Sequence, residues 1–269
     1  MSVALPDRNA LLEALREAAG GFSAMLRRVE DGSTRAIGEW TVGDVAAHLS
    51  HGFTEVYLAI ARGEGSAVTS IAGIAGMNEA HLNADGERDP RVLADRIDDG
   101  HAQFQDCMSR LPPGAEPTWH AKIVLPATTM VAIVLGEVLI HGYDVAKASG
   151  QTWSVDAESA RMAMMGVVPL LPHYVDKAAT ENVQARVLLR LRGPSRERNQ
   201  FVLVVDRGTL AIEDLSDGVD CRISAAPAAF MLVSYGRISP LLPSLTGKIV
   251  AYGRRPWLGL RLTTWLTNP

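Results

Sequence analysis

Cysteine is scarce in this chain. Only Cys107 and Cys221 occur, far apart in sequence. Two cysteines cannot build a disulfide framework, and no CxxC spacing marks a thiolate metal site. A reduced, cytosolic setting is the natural expectation. A basic excess is also missing: 26 Lys and Arg face 30 Asp and Glu, giving a net charge of −4 and a pI near 6.0. That removes the electrostatic footprint of a nucleic-acid binder. Long apolar runs are absent too. The most apolar stretch, residues 130–140, is interrupted by Glu137 and falls short of the roughly 18 apolar residues a membrane span needs. Asp7 and Arg8 arrive before any apolar run long enough for a signal peptide. No internal repeat or low-complexity tract appears. These absences predict a soluble intracellular protein with neither nucleic acid nor membrane as partner.

What is present suits a folded chain of one large or two ordinary domains. It has 269 residues, 47% apolar and 21% charged. The first 150 residues read as helices. Asp7 is placed to cap a helix whose Leu11, Leu12, Leu15, Phe22 and Leu26 share one face. Thr41 and Asp44 form a variant capping box before a helix with Val45, Leu49, Phe53, Val56 and Ile60 as its core stripe. Residues 63–76 carry four glycines and predict a mobile loop, followed by a short helix near 77–83. Asp89-Pro90 opens another helix with Leu93, Ile97, Phe104, Met108 and Leu111 on its apolar face, closed by Pro112-Pro113-Gly114. A last helix runs from about 128 to 149, with Gly150 as its stop. Helices of this kind pack as a bundle, with sites built between facing helices.

Beyond 150 the period changes. A helix around 156–169 precedes strict alternation from Val183 to Arg192, the mark of a half-buried strand. Residues 201–205 and 209–212 flank Asp206-Arg207-Gly208, a hairpin signal. Cys221 lies in a short strand. Residues 227–235 read as helix, 248–252 as strand and 257–265 as a final helix. The expectation is a two-domain α+β chain, divided into 1–150 and 151–269, with an antiparallel sheet in the second part.

Glu137 is the informative residue. It is the only charge between 130 and 140, on a helix apolar all round. A buried carboxylate costs several kcal/mol unless something cationic offsets it or it stays protonated. His141, four residues on, shares its helix face, so an oxygen and an imidazole nitrogen stand side by side. Both suit zinc and similar divalent metals. A third ligand must come from another helix. His48 flanks the core stripe of the second helix, and His51 falls nearly opposite it, so His48 is favoured over His51. Two histidines and a carboxylate leave an open position, as in catalytic zinc sites, and also resemble the facial triad of non-haem iron enzymes. The competing structural account is a buried acid–imidazole pair with His48 as a satisfied core histidine. Asp144 is placed either to orient a ligand histidine or to pair with Lys147. His81, His101, His120 and His173 have no companion at ligand spacing and are treated as ordinary.

These residues carry a resemblance. The segment Trp40-Thr-Val-Gly-Asp-Val-Ala-Ala-His48-Leu and the segment Gly136-Glu137-Val-Leu-Ile-His141-Gly-Tyr-Asp144-Val resemble the two signatures of mycothiol-dependent maleylpyruvate isomerases and their DinB-like relatives. Tyr235-Gly236-Arg237 and the segment from Gly253 to Leu258 resemble the sterol-carrier-like domain that follows the bundle in many members. The resemblance implies a DinB-like four-helix bundle, a sterol-carrier-like α+β domain, and zinc on His48, Glu137 and His141. It also implies mycothiol as cosubstrate, ionised at the metal, adding to a cis double bond and leaving again after rotation. A small electrophile is the other partner. Members use an arginine of the second domain near the metal; Arg237 is placed first among the anion handles because it follows a Tyr-Gly turn, with Arg254, Arg255 and Lys248 behind it. Three functions stay open: a metal-dependent thiol transferase or isomerase, a non-catalytic metal, thiol or lipid-binding protein, and iron redox chemistry.

Overall fold

A computed structural model describes residues 3–194, 199–214 and 217–267 of the chain. Asp7 caps α1 (Arg8–Leu26) by accepting from the Ala10 N–H at 2.9 Å. A small hairpin follows, β1 (Arg35–Ile37) and β2 (Trp40–Thr41), which the sequence reading missed. Thr41 and Asp44 then form both halves of the capping box at the head of α2 (Val42–His51), with bonds of 3.1 and 2.9 Å. The predicted single helix through Ile60 is interrupted by a π-turn at Gly52–Val56 before α3 (Tyr57–Ala61). The glycine-rich segment is helical earlier than expected: α4 spans Gly73–Ala84. Asp89 and Pro90 start α5 (Pro90–Arg110). The long α6 runs Ala127–Ser149 and ends at Gly150 in the left-handed conformation.

The predicted apolar faces meet inside this unit. Leu11, Leu15, Phe22 and Leu26 of α1, Leu49 of α2, Phe53 of the π-turn, Leu93, Ile97 and Phe104 of α5, and Val131, Ala132, Val134 and Leu135 of α6 are among its most deeply buried side chains. α1 packs on α5 and α6, and α2 on α5, so α1, α2, α5 and α6 make a four-helix bundle. By length and composition α6 is apolar enough to cross a membrane, although its longest uncharged run is short. Yet 83% of its most apolar window is buried inside the unit, as in a core helix. Trp153 closes the unit. Its indole N–H donates to the Leu139 carbonyl at 3.0 Å, and its ring lies where any Cβ on Gly142 would overlap it.

Chain contacts divide the structure into one unit of residues 7–155 and another of 156–267 with residues 3–6. The second unit starts with α7 (Ala157–Gly166), a 3-10 turn (Val168–Tyr174) and α8 (Lys177–Thr180). Its strands are β3 (Gln184–Leu191), β4 (Gln200–Asp206), β5 (Thr209–Glu213), β6 (Cys221–Ala225) and β7 (Ile249–Gly253). Between β6 and β7 lie α9 (Pro227–Ser234) and α10 (Leu241–Leu245), and α11 (Leu258–Arg261) comes last. The order across the sheet is β5-β4-β3-β6-β7. Arg207 and Gly208, both at positive φ, make the predicted hairpin turn between β4 and β5. Ala185, Val187, Leu189 and Leu191 point into a core shared with Phe230 of α9, Leu258 of α11 and Trp265.

The α+β class stands, but the sheet is mixed. Three pairings are antiparallel, as expected, while β3 and β6 run parallel, Val187 opposite Cys221 through Leu191 opposite Ala225. Alternation reports which face of a strand is buried and carries no information on the direction of its neighbour. The β4–β5 hairpin lies to one side of β3, and β6, from later in the chain, takes the other edge.

Candidate metal centre

Two helices of the bundle supply the site. The capping box fixes where α2 begins, and His48 stands two turns in. Glu137 and His141 occupy adjacent turns of α6, one helical turn apart on one face. Packing of α2 against α6 brings the three together. Glu137 Oε2 lies 3.3 Å from His48 Nε2 and 3.4 Å from His141 Nε2, and one donor atom from each residue falls within 4.8 Å of the other two.

These spacings fit a shared cation. Bonds of about 2.0–2.1 Å at tetrahedral angles put neighbouring ligand atoms about 3.3–3.4 Å apart. The histidine rings stand nearly perpendicular, at 73° with centroids 5.1 Å apart, so both nitrogens can aim at one point. Glu137 is less enclosed than its sequence context predicts: a quarter of its side chain (25%) is exposed. The centre is thus reachable from solvent on the carboxylate side, as an open coordination position requires.

Asp144 lies on the other side of His141. It is buried, and its Oδ2 is 3.2 Å from His141 Nδ1. Of the two placements open from sequence, this contact matches the one beside His141. Electrostatics follow the arrangement. Burial pushes the Glu137 carboxyl up, but hydrogen bonds from His141 and His48 outweigh it and hold the acid below the usual carboxylate range. Burial depresses His48, only partly opposed by Glu137. Burial also acts against charge on His141, but Asp144 and Glu137 together raise it above its ordinary value. The two imidazoles thus favour the ionised carboxylate over the neutral acid. His48 is the more readily neutral ring.

One participant has no counterpart in the periodicity argument. Trp40, delivered by the β1–β2 hairpin, lies over both imidazoles, with centroids 5.2 Å from His48 and 6.4 Å from His141. Its indole forms one wall of the centre. His51, the less favoured candidate, does not join Glu137; its ring faces Glu55 and Asp85. The proposed anion handles belong to the second unit, and the three arginines among them are engaged there. Arg237 donates to the Tyr235 carbonyl at 2.7 Å, Arg254 pairs with Asp220 at 3.0 Å, and Arg255 donates to the Gln184 carbonyl at 2.9 Å.

Comparison with known proteins bears on this unit directly. The family profile described as mycothiol maleylpyruvate isomerase N-terminal domain matches residues 15–146. No curated protein sequence matches the chain. Two crystal structures, of a mycothiol-dependent maleylpyruvate isomerase and of a histidine-to-alanine mutant of such an enzyme, share the fold. They are 14% and 13% identical to the chain, with TM-scores of 0.54 and 0.55; each comparison covers 91% of this chain and 93% of the other. Residues 15–146, which contain His48, Glu137 and His141, are thus identified as a mycothiol maleylpyruvate isomerase N-terminal domain.

Proposed function

We propose that the chain is a metal-dependent enzyme that activates a low-molecular-weight thiol, mycothiol in the family's case, for attack on a small electrophile. The observation that carries this reading is the convergence of His48, Glu137 and His141 at ligand spacing around an accessible point. A divalent cation held there, zinc being the best match to the donor set, would supply a Lewis acid at which a thiol ionises near neutral pH. The chain's own groups do the rest. Glu137 offsets positive charge, Asp144 fixes the His141 ring so that Nε2 points into the centre, and Trp40 shields both rings from water. Described residues offer no thiol for this chemistry: burial raises the Cys221 thiol, and Cys107 lies on α5, outside the cluster. A nucleophile supplied by the cosubstrate accounts for that.

Cis–trans isomerisation of maleylpyruvate is the first reaction to test, and thiol transfer to another electrophile the second. Elemental analysis of the wild type beside Glu137→Ala should find one metal equivalent lost in the variant. Turnover is then assayed with mycothiol and maleylpyruvate. Equal metal content in both proteins would end the metal reading, whereas metal without turnover removes only the isomerase. Among the C-terminal arginines, Arg237→Ala is expected to raise KM for the thiol with metal content unchanged; an unaltered KM takes Arg237 out of the scheme.

A second reading, apolar ligand binding by the C-terminal unit, is favoured by one observation. Leu241, Leu242 and Leu245 of α10 are each about two-thirds or more exposed, at 66%, 67% and 76%. A lipid that co-purifies and is seen by native mass spectrometry, in a protein without thiol affinity, would favour it.

A further inference from the structure

Three residues from the same unit, none of them in the centre above, also come together. His51 ends α2, Glu55 lies in the π-turn, and His81 lies in the last turn of α4. One donor atom from each falls within 4.8 Å of the other two. His51 Nδ1 is 3.4 Å from Glu55 Oε1, again the separation of neighbouring ligands on a tetrahedral ion. The rings of His51 and His81 stack, 5.3 Å between centroids and 28° between planes.

A second, independent observation points to a ligand. His51 is only 8% exposed, and both its ring nitrogens are buried without a hydrogen-bond partner. A buried imidazole left unpaired costs roughly 1–3 kcal/mol. Its two nitrogens nevertheless face acids: Nδ1 faces Glu55, and Nε2 is 3.5 Å from Asp85 Oδ2. Asp85 is itself held by Arg96 at 2.6 Å. That is the layout of a ligand histidine, with one nitrogen toward an ion and the other toward an orienting carboxylate.

The local backbone explains why the residues meet. A Cβ on Gly52 would lie 2.6 Å from the Tyr57 ring, so glycine lets Tyr57 pack against the turn where the helix widens. Glu55 remains exposed beside His51, and α4 lies across α2 to bring His81.

We infer that His51, Glu55 and His81 form a second divalent-cation site, oriented by Asp85, that ties α4 to α2. Two imidazoles and one carboxylate select a borderline ion such as zinc, nickel or copper over magnesium or calcium. Its exposed carboxylate makes the ion exchangeable. The site is independent of the Glu137 centre, and its test does not rely on activity.

Protein stripped with chelator is dialysed against zinc at micromolar free metal, and bound zinc is counted by elemental analysis. The wild type should hold two equivalents. His81→Ala and Glu55→Gln should each hold one, as should Glu137→Gln; the double variant Glu137→Gln with His81→Ala should hold none. In the Glu137→Gln background, zinc should raise the melting temperature, and adding His81→Ala should abolish that rise. His81 is half-buried and Glu55 exposed, so folding is checked from the same melts. The inference is overturned if Glu137→Gln binds no zinc, or if His81→Ala and Glu55→Gln leave the zinc count unchanged.

Discussion

Asp144 makes the two histidines of the centre unequal. It meets His141 at 3.2 Å, whereas His48 has no second carboxylate besides Glu137 among its described bonds. Carboxylates in this position typically carry 10–100-fold of metal affinity. Asp144→Asn should therefore weaken zinc binding by about that factor while leaving the metal count at saturation unchanged, as read by competition with a chelating dye. An unaltered affinity would reduce Asp144 to a structural partner. His120 gives a separate residue-scale expectation. It is buried, its Nδ1 meets the Ser66 hydroxyl at 2.6 Å, and burial depresses it to about 4. The unfolded chain, with an ordinary histidine near 6.5, binds that proton more readily. Stability should fall as pH drops from about 6.5 toward 4, by up to a few kcal/mol from this group. Urea denaturation across that range should show a shallower pH slope in His120→Gln; parallel slopes would refute the assignment.

At the scale of elements, the start of α2 and the surface of α6 position the centre. Thr41→Ala removes one half of the capping box and should cost about 1 kcal/mol in urea denaturation. Gly142 follows His141 and lies under the Trp153 ring, so Gly142→Ala should cost about 1–3 kcal/mol and, on the proposed metal reading, reduce metal affinity through His141. Loss of stability with intact affinity would mean that α6 absorbs the shift elsewhere. The elements also show what periodicity can and cannot reveal. The caps at Asp7, Thr41 and Asp89, the stripes on α1, α2 and α5, and the stop at Gly150 were all legible, because each rests on local chemistry. The π-turn was not: it depends on Tyr57 packing on Gly52, and a helical wheel assumes uniform winding. The parallel β3–β6 pairing was likewise invisible to alternation.

At the scale of the molecule, ligands binding the folded state stabilise it by mass action. Chelator treatment should lower the melting temperature of the wild type, and zinc should restore it; identical melts would argue against any resident ion. The extent of the helical unit is testable in the same way. Gln151 donates to the Met25 carbonyl at 3.2 Å and Trp153 to Leu139, so both side chains serve the bundle. A fragment of residues 7–155 should be more stable than one of 7–150, measured by urea denaturation.

The sequence by itself determined the helical first part, the α+β second part, and the pairing of Glu137 with His141, since one helical turn fixes that pair without reference to the rest of the chain. It also carried the motif through which residues 15–146 are assigned to their family. The wheel of the second helix already favoured His48 over His51; only tertiary structure brought His48 to Glu137, set Trp40 across the rings, and joined His51 to Glu55 and His81. Those decisions depend on how separate helices cross. A crossing is settled by side-chain packing between segments distant in sequence, which no local pattern records.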